Sequence, residues 1–126
     1  MSPLDDELLT HRIIGGAMQV HRSLGPGLLE SAYEKCLAWE LADRGLGVAR
    51  EVPVPLNYRR VSITAAYRLD LLIEQRVIVE VKSVMTLHPI VDAQVITYLK
   101  LLRLHTALVL NFNVGRLQDG IRRLVL

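Results

Sequence analysis

The chain has 126 residues, about half of them apolar, and 15 basic against 13 acidic side chains for a formal charge of +2. That length and composition suit one folded domain and exclude a disordered chain or a second core. One cysteine excludes an internal disulfide, no apolar run approaches a membrane span, and the Met-Ser-Pro-Leu-Asp-Asp-Glu start is no signal peptide, so a cytoplasmic protein is expected.

A first helix is predicted from about Asp5 to Ser23. Leu9, Ile13, Ala17, Val20 and Leu24 recur at helical spacing, and Asp5-Asp6-Glu7 complements the helix N-terminus. Gly15-Gly16 weakens this helix, which implies close packing against another element. His11 and His21 read as exposed polar positions. Leu24-Gly-Pro-Gly27 is a firm break, and a second helix follows from about Leu28 to Arg44, ending at Gly45. Tyr33, Leu37 and Leu41 form its apolar stripe. Glu30, three residues before Tyr33, leans towards the core as either a helix-start charge or an acid feeding a site. Glu34 and Glu40 are expected in solvent, and Cys36 as a core thiol.

From Gly47 the period shifts to two. Val48, Arg50, Val52, Val54 and Leu56 alternate into Tyr58, while Pro53 and Pro55 favour an edge strand. Asn57 to Arg60 is a polar turn before Val61 to Ala65. Arg59-Arg60 suits either phosphate or solvent; twelve of the fifteen basic residues are arginine, the better phosphate fork. Leu69–Ile73 and Val77–Val81 then read as a hairpin around Glu74-Gln75-Arg76.

Three charges lie in this apolar hairpin: Asp70, Glu80 and Lys82. Strand periodicity puts Glu80 and Lys82 on one face, with Val79 and Val81 on the other. Buried without partners such charges are costly. Either they form a structural Glu80–Lys82 ion pair, or Asp70 and Glu80 hold a hard divalent cation, usually Mg²⁺, with Lys82 orienting or deprotonating a water. A helix from about Pro89 to Arg103 follows, with Gln94 and Tyr98 stacked on one face. It is apolar almost all round, which predicts a homodimer or other stable complex. Thr106 to Phe112 is a buried strand, Asn113 to Gly120 a turn region, and Ile121 to Leu126 a last short strand. His88, just beyond the hairpin, is a candidate substrate contact. Neither a cysteine–histidine cluster for zinc nor a glycine-rich phosphate loop is present.

The order of these blocks resembles the PD-(D/E)XK nuclease superfamily. Gly27-Leu-Leu-Glu30-Ser-Ala-Tyr33 is similar to the signature of the GxxExxY protein family, as are Tyr67-Arg-Leu-Asp70, Glu80-Val-Lys82, Gln94 to Tyr98, Asn111-Phe112 and Asp119-Gly-Ile-Arg122. The resemblance implies an α/β, restriction-endonuclease-like fold: a mixed sheet flanked by helices on both sides. It also implies a Mg²⁺- or Mn²⁺-dependent nuclease acting on DNA or RNA. In that reading Asp70 and Glu80 hold the metal, Lys82 assists the attacking water, and Glu30 is the helix-borne acid of the metal site. Gln94 and Tyr98 would complete the site wall or touch nucleic acid. An inactive nuclease-fold module, binding nucleic acid or a protein, remains the other reading.

Overall fold

The computed structural model describes residues 3–126, with side chains from Asp5 onward; Met1 and Ser2 of the N-terminal stretch lie outside the described residues. The elements are α1 (Pro3–Leu24), α2 (Glu30–Asp43), β1 (Val48–Tyr58), β2 (Val61–Ile73), β3 (Val77–Lys82), α3 (Ile90–Leu102), β4 (Thr106–Asn111) and β5 (Ile121–Val125), with a short 3₁₀ turn at Leu117–Gly120. The strands form one sheet in the order β1-β2-β3-β4-β5. Only β3 and β4 run parallel, and α3 is the crossover between them.

Two apolar layers sandwich the sheet, as an α/β fold flanked on both sides requires. On one face α1 and α2 contribute Ile13, Ala17, Tyr33, Leu37 and Leu41, which pack on Leu71, Val79, Val81, Leu108 and Leu110. On the other, Val95, Tyr98 and Leu99 of α3 pack on Leu69, Leu72, Ile78, Ala107 and Val109. β3 and β4 are buried on both faces, which is why they read as unbroken apolar runs. The Gly15-Gly16 pair marks the crossing of α1 and α2. A Cβ on Gly16 would lie 2.6 Å from Leu41 Cδ2, so the helices approach closely only without one. β1 holds the edge position that Pro53 and Pro55 suggest. Glu74 and Gln75 both take positive φ, 53° and 55°, as the tight turn joining β2 to β3 demands.

Three expectations change. His21 is buried, not exposed; its Nε2 bonds the Val114 carbonyl oxygen at 2.9 Å. Cys36 is exposed rather than in the core. The surface argument for a homodimer also loses its premise. Val95, Tyr98 and Leu99 are buried, Val91, Ile96, Leu101 and Leu102 pack partly on the same cluster, and Ile90 is the one large apolar side chain of α3 left exposed. Among the described residues no helix is long and apolar enough to cross a membrane.

Candidate active site

The acids meet where the sheet forks. β2 and β3 pair at Leu71↔Val79, Leu72↔Ile78 and Ile73↔Val77, and the ladder stops there. One step on, the amide of Asp70 donates to Glu80 Oε1 (3.1 Å) and the amide of Val81 donates to Asp70 Oδ2 (2.8 Å). Two carboxylates thus take the place of the carbonyls that a longer ladder would offer. An amide left bare in the fork would be costly, so these acids close the gap they occupy.

Side-chain alternation slips at the same place. Leu71 and Ile73 pack on the α1–α2 side, yet Leu69 packs on the α3 side. β1 makes the matching break at Glu51, whose φ is 53°. The register on either side, Arg50↔Leu71 and Val52↔Leu69, sets Glu51 opposite Asp70. A row of acids therefore crosses the sheet from Glu51 to Asp70 to Glu80.

Glu34 joins this row from α2. It shares a helix face with Leu37 and Leu41 and is buried, and its Oε2 accepts a hydrogen bond from Arg50 Nη2 at 3.1 Å. One carboxylate oxygen from each of Glu34, Glu51 and Asp70 lies within 4.8 Å of the others. The expectation that Glu34 is solvated is thus corrected. Its burial has a readable cause, since residues 30, 34, 37 and 41 follow the helical repeat of a core-facing stripe. Glu51 was missed altogether, because an acid between alternating apolar residues on an edge strand reads as solvent-facing.

The electrostatics follow from crowding and burial. Burial pushes the Glu80 carboxyl up to about 8, the Asp70 charge adds to the rise, and the Asp70 amide and Lys82 oppose it. Glu34 is pushed up to about 7, again chiefly by burial, against the Arg50 bond and with help from Asp70 and Glu51. Burial also raises Asp70 from its ordinary value, opposed first by the Val81 amide and then by Lys82. The Tyr98 phenol is raised by burial, then by Glu80 and Asp70. Such a set stays partly protonated unless a cation relieves it. Its donors are hard oxygens, the chemistry that suits Mg²⁺ or Mn²⁺.

Lys82 lies two residues beyond Glu80, half-buried, on the strand face that includes Ile78. It makes no ion pair among the described residues, so the Glu80–Lys82 bridge is not the arrangement found. The segment after it is tightly held. Glu30 Oε1 accepts from the Ser83 amide (3.4 Å), Ser83 Oγ donates to the Leu28 carbonyl (2.6 Å), and Asn111 bonds both the amide and the carbonyl of Val84. Tyr33 Oη ties the loop before α2 by donating to the Gly25 carbonyl and accepting from the Leu28 amide. Gly27 takes φ of 104° in that loop, which a side chain would strain. Glu30 therefore borders the site at the end of β3, while Glu34, one turn along, enters it. Tyr98 is buried towards the acids and Gln94 is exposed on the same helix. His88 caps the start of α3, its Nδ1 accepting from the Ile90 amide at 3.0 Å.

Comparison with known families matches the PD-(D/E)XK nuclease superfamily over residues 7–124. The chain belongs to that superfamily. No curated protein and no solved structure gives a significant match. In this PD-(D/E)XK chain, the acidic and lysine positions expected from the sequence all lie at or beside the β2–β3 fork. Glu34 and Glu51 are the additional acids.

Proposed function

We propose that the chain is a Mg²⁺- or Mn²⁺-dependent nuclease that hydrolyses phosphodiester bonds of DNA or RNA. The observation that carries this reading is the convergence of Glu34, Glu51 and Asp70, with the buried Glu80 bonded to the Asp70 amide and Lys82 two residues further along the strand, in a member of this superfamily. Asp70 is the central ligand, with Glu34, Glu51 and Glu80 as the other candidate donors. The bound cation supplies Lewis-acid stabilisation of the phosphate oxygens. Lys82, in no direct ion pair among the described residues, donates to a phosphate oxygen or holds the attacking water in line. Glu30 keeps the Ser83 segment, and with it Lys82, in place. Tyr98 walls the site with its hydroxyl near the acids, and the exposed Gln94 contacts nucleic acid at the mouth.

The test is cleavage of a mixed panel of DNA and RNA, single- and double-stranded, with and without Mg²⁺ or Mn²⁺. Lys82→Ala should still bind metal by calorimetry yet lose at least about a hundredfold in rate. Asp70→Ala should lose metal binding and cleavage together. Cleavage that survives alanine at Asp70, Glu80 and Lys82 rejects the assignment. Metal binding by the native protein with no cleavage of any substrate assigns the chain to an inactive binding role.

A further inference from the structure

Beyond Asp70 the β1–β2 ribbon leaves the rest of the sheet. β3 pairs with β2 no further than Leu71, so residues 52–68 form a two-stranded arm, packed only at its root by Val52, Val54 and Leu69. The arm contains Arg59, Arg60 and Arg68 and no acid at all. None of these arginines is ion-paired among the described residues.

The cross-strand partners Leu56↔Ile63 and Tyr58↔Val61 put apolar side chains together, and all but the half-buried Leu56 stay open to solvent. Tyr58 is 62% exposed, Val61 54%, Ile63 42% and Tyr67 40%. The pairing slips between Ile63 and Tyr67, but their partners Tyr58, Leu56 and Val54 alternate regularly along β1, so Val61, Ile63 and Tyr67 share one face of the arm. The Tyr67 ring lies 5.5 Å from that of Tyr98, which feels the charges of Glu80 and Asp70. At the far end the Arg59 guanidinium sits over the Tyr58 ring at 5.5 Å. Arg68, one residue from Tyr67, faces the other way and lies two residues from Asp70 on the same strand. From Tyr67 to the tip the stripe is roughly 15 Å long, room for a few nucleotides.

Open aromatic rings on a sheet, with guanidinium groups at the tip and no acid there to oppose them, match unpaired bases joined by phosphates. A duplex hides its base faces and could not use the stripe. A protein partner would cover the apolar stripe but would have no use for the two unopposed cations at its tip. We propose that this arm is a platform for single-stranded nucleic acid, with bases on Tyr67 and Tyr58 and phosphates on Arg59 and Arg60 at its tip. The substrate then reaches the acids as an unpaired strand or unpaired end. This rests on the nucleic-acid substrate of the proposed function and narrows it.

The experiment is fluorescence anisotropy of the whole protein with a labelled short oligonucleotide, single-stranded or as its duplex, without divalent cation so that nothing is cut. The single strand should bind more tightly than the duplex. Tyr58→Ala, at the exposed tip, should weaken single-strand binding about tenfold, with Tyr58→Phe near native. Arg59→Gln with Arg60→Gln should flatten the dependence of log affinity on log salt by about 1.4. Equal affinity for duplex and single strand, no binding to either, or no effect of these variants overturns the platform. Single-strand binding without cleavage in Mg²⁺ keeps the platform and rejects the nuclease. Cleavage of duplex that is indifferent to the arm variants does the reverse.

Discussion

Replacing Glu80 by glutamine separates a metal-site acid from a structural ion pair, because it removes the charge and keeps the shape. Glutamine Oε1 can still accept from the Asp70 amide, so the fork stays closed. The native carboxyl titrates at about 8 rather than near 4.5 because it is buried and faces Asp70. Between those pH values the native chain holds a proton that the unfolded chain has released. Stability without metal is therefore fully present at and below about pH 4.5 and falls as pH rises towards 8. The loss is of order 1 kcal/mol per pH unit, hence about 3 kcal/mol between pH 4.5 and 7.

Glu80→Gln abolishes that contribution and leaves Glu34 and Asp70, both raised by burial, to supply what slope remains. At pH 7, without metal, the variant should be more stable by about 1–3 kcal/mol, a rise of roughly 3–10 °C in Tm for a domain of this size. Near pH 4.5 the two proteins should melt together. Mg²⁺ should raise the Tm of native protein more than that of the variant, since a ligand stabilises in proportion to its affinity for the folded state. Thermal melts across pH, with and without Mg²⁺, measure all of this. A variant that is less stable at pH 7 by a few kcal/mol would refute the reasoning, because that is the cost of breaking a buried ion pair. Parallel pH profiles for the two proteins would refute it too.

Tyr33→Phe removes the hydroxyl that bonds the Gly25 carbonyl and the Leu28 amide, and should cost about 1–3 kcal/mol in urea unfolding. Because that loop holds Ser83 beside Lys82, the cleavage rate should fall while metal affinity stays near native. Gly120→Ala puts a Cβ at 2.1 Å from the Asn111 backbone oxygen, which no side-chain rotation can relieve, so a loss of about 3 kcal/mol or more is expected in the same assay.

Much of the frame was legible because local chemistry decided it. The apolar runs around Glu74-Gln75-Arg76 could pair only as a hairpin, and Pro53 and Pro55 could not sit inside a sheet. Gly16 announced a close helix crossing, and Leu41 is found against it. Features set by distant partners were not legible. His21 is buried because the Val114 carbonyl, far along the chain, offers it a bond. The continuity of β2 through Ala66-Tyr67-Arg68 depends on β1 beside it, since Ala66 and Arg68 interrupt the apolar pattern on either side of Tyr67.

The site divides along the same line. Asp70, Glu80 and Lys82 stood out because charges inside apolar strands violate the local pattern. Glu34 and Glu51 violate nothing locally, since acids are ordinary on a helix and on an edge strand. What recruits them is the break at Glu51 and Asp70, where both strands change which face their apolar side chains serve. Had the alternation run on unbroken, Leu69 and Leu71 would share a face, and one of the two apolar layers would lose its Leu69 or Leu71 contact. The break lets both leucines be buried, in different layers, and leaves Asp70 at the seam with α2 close enough to bring in Glu34. An acid cluster at a sheet fork is thus a consequence of register as much as of composition.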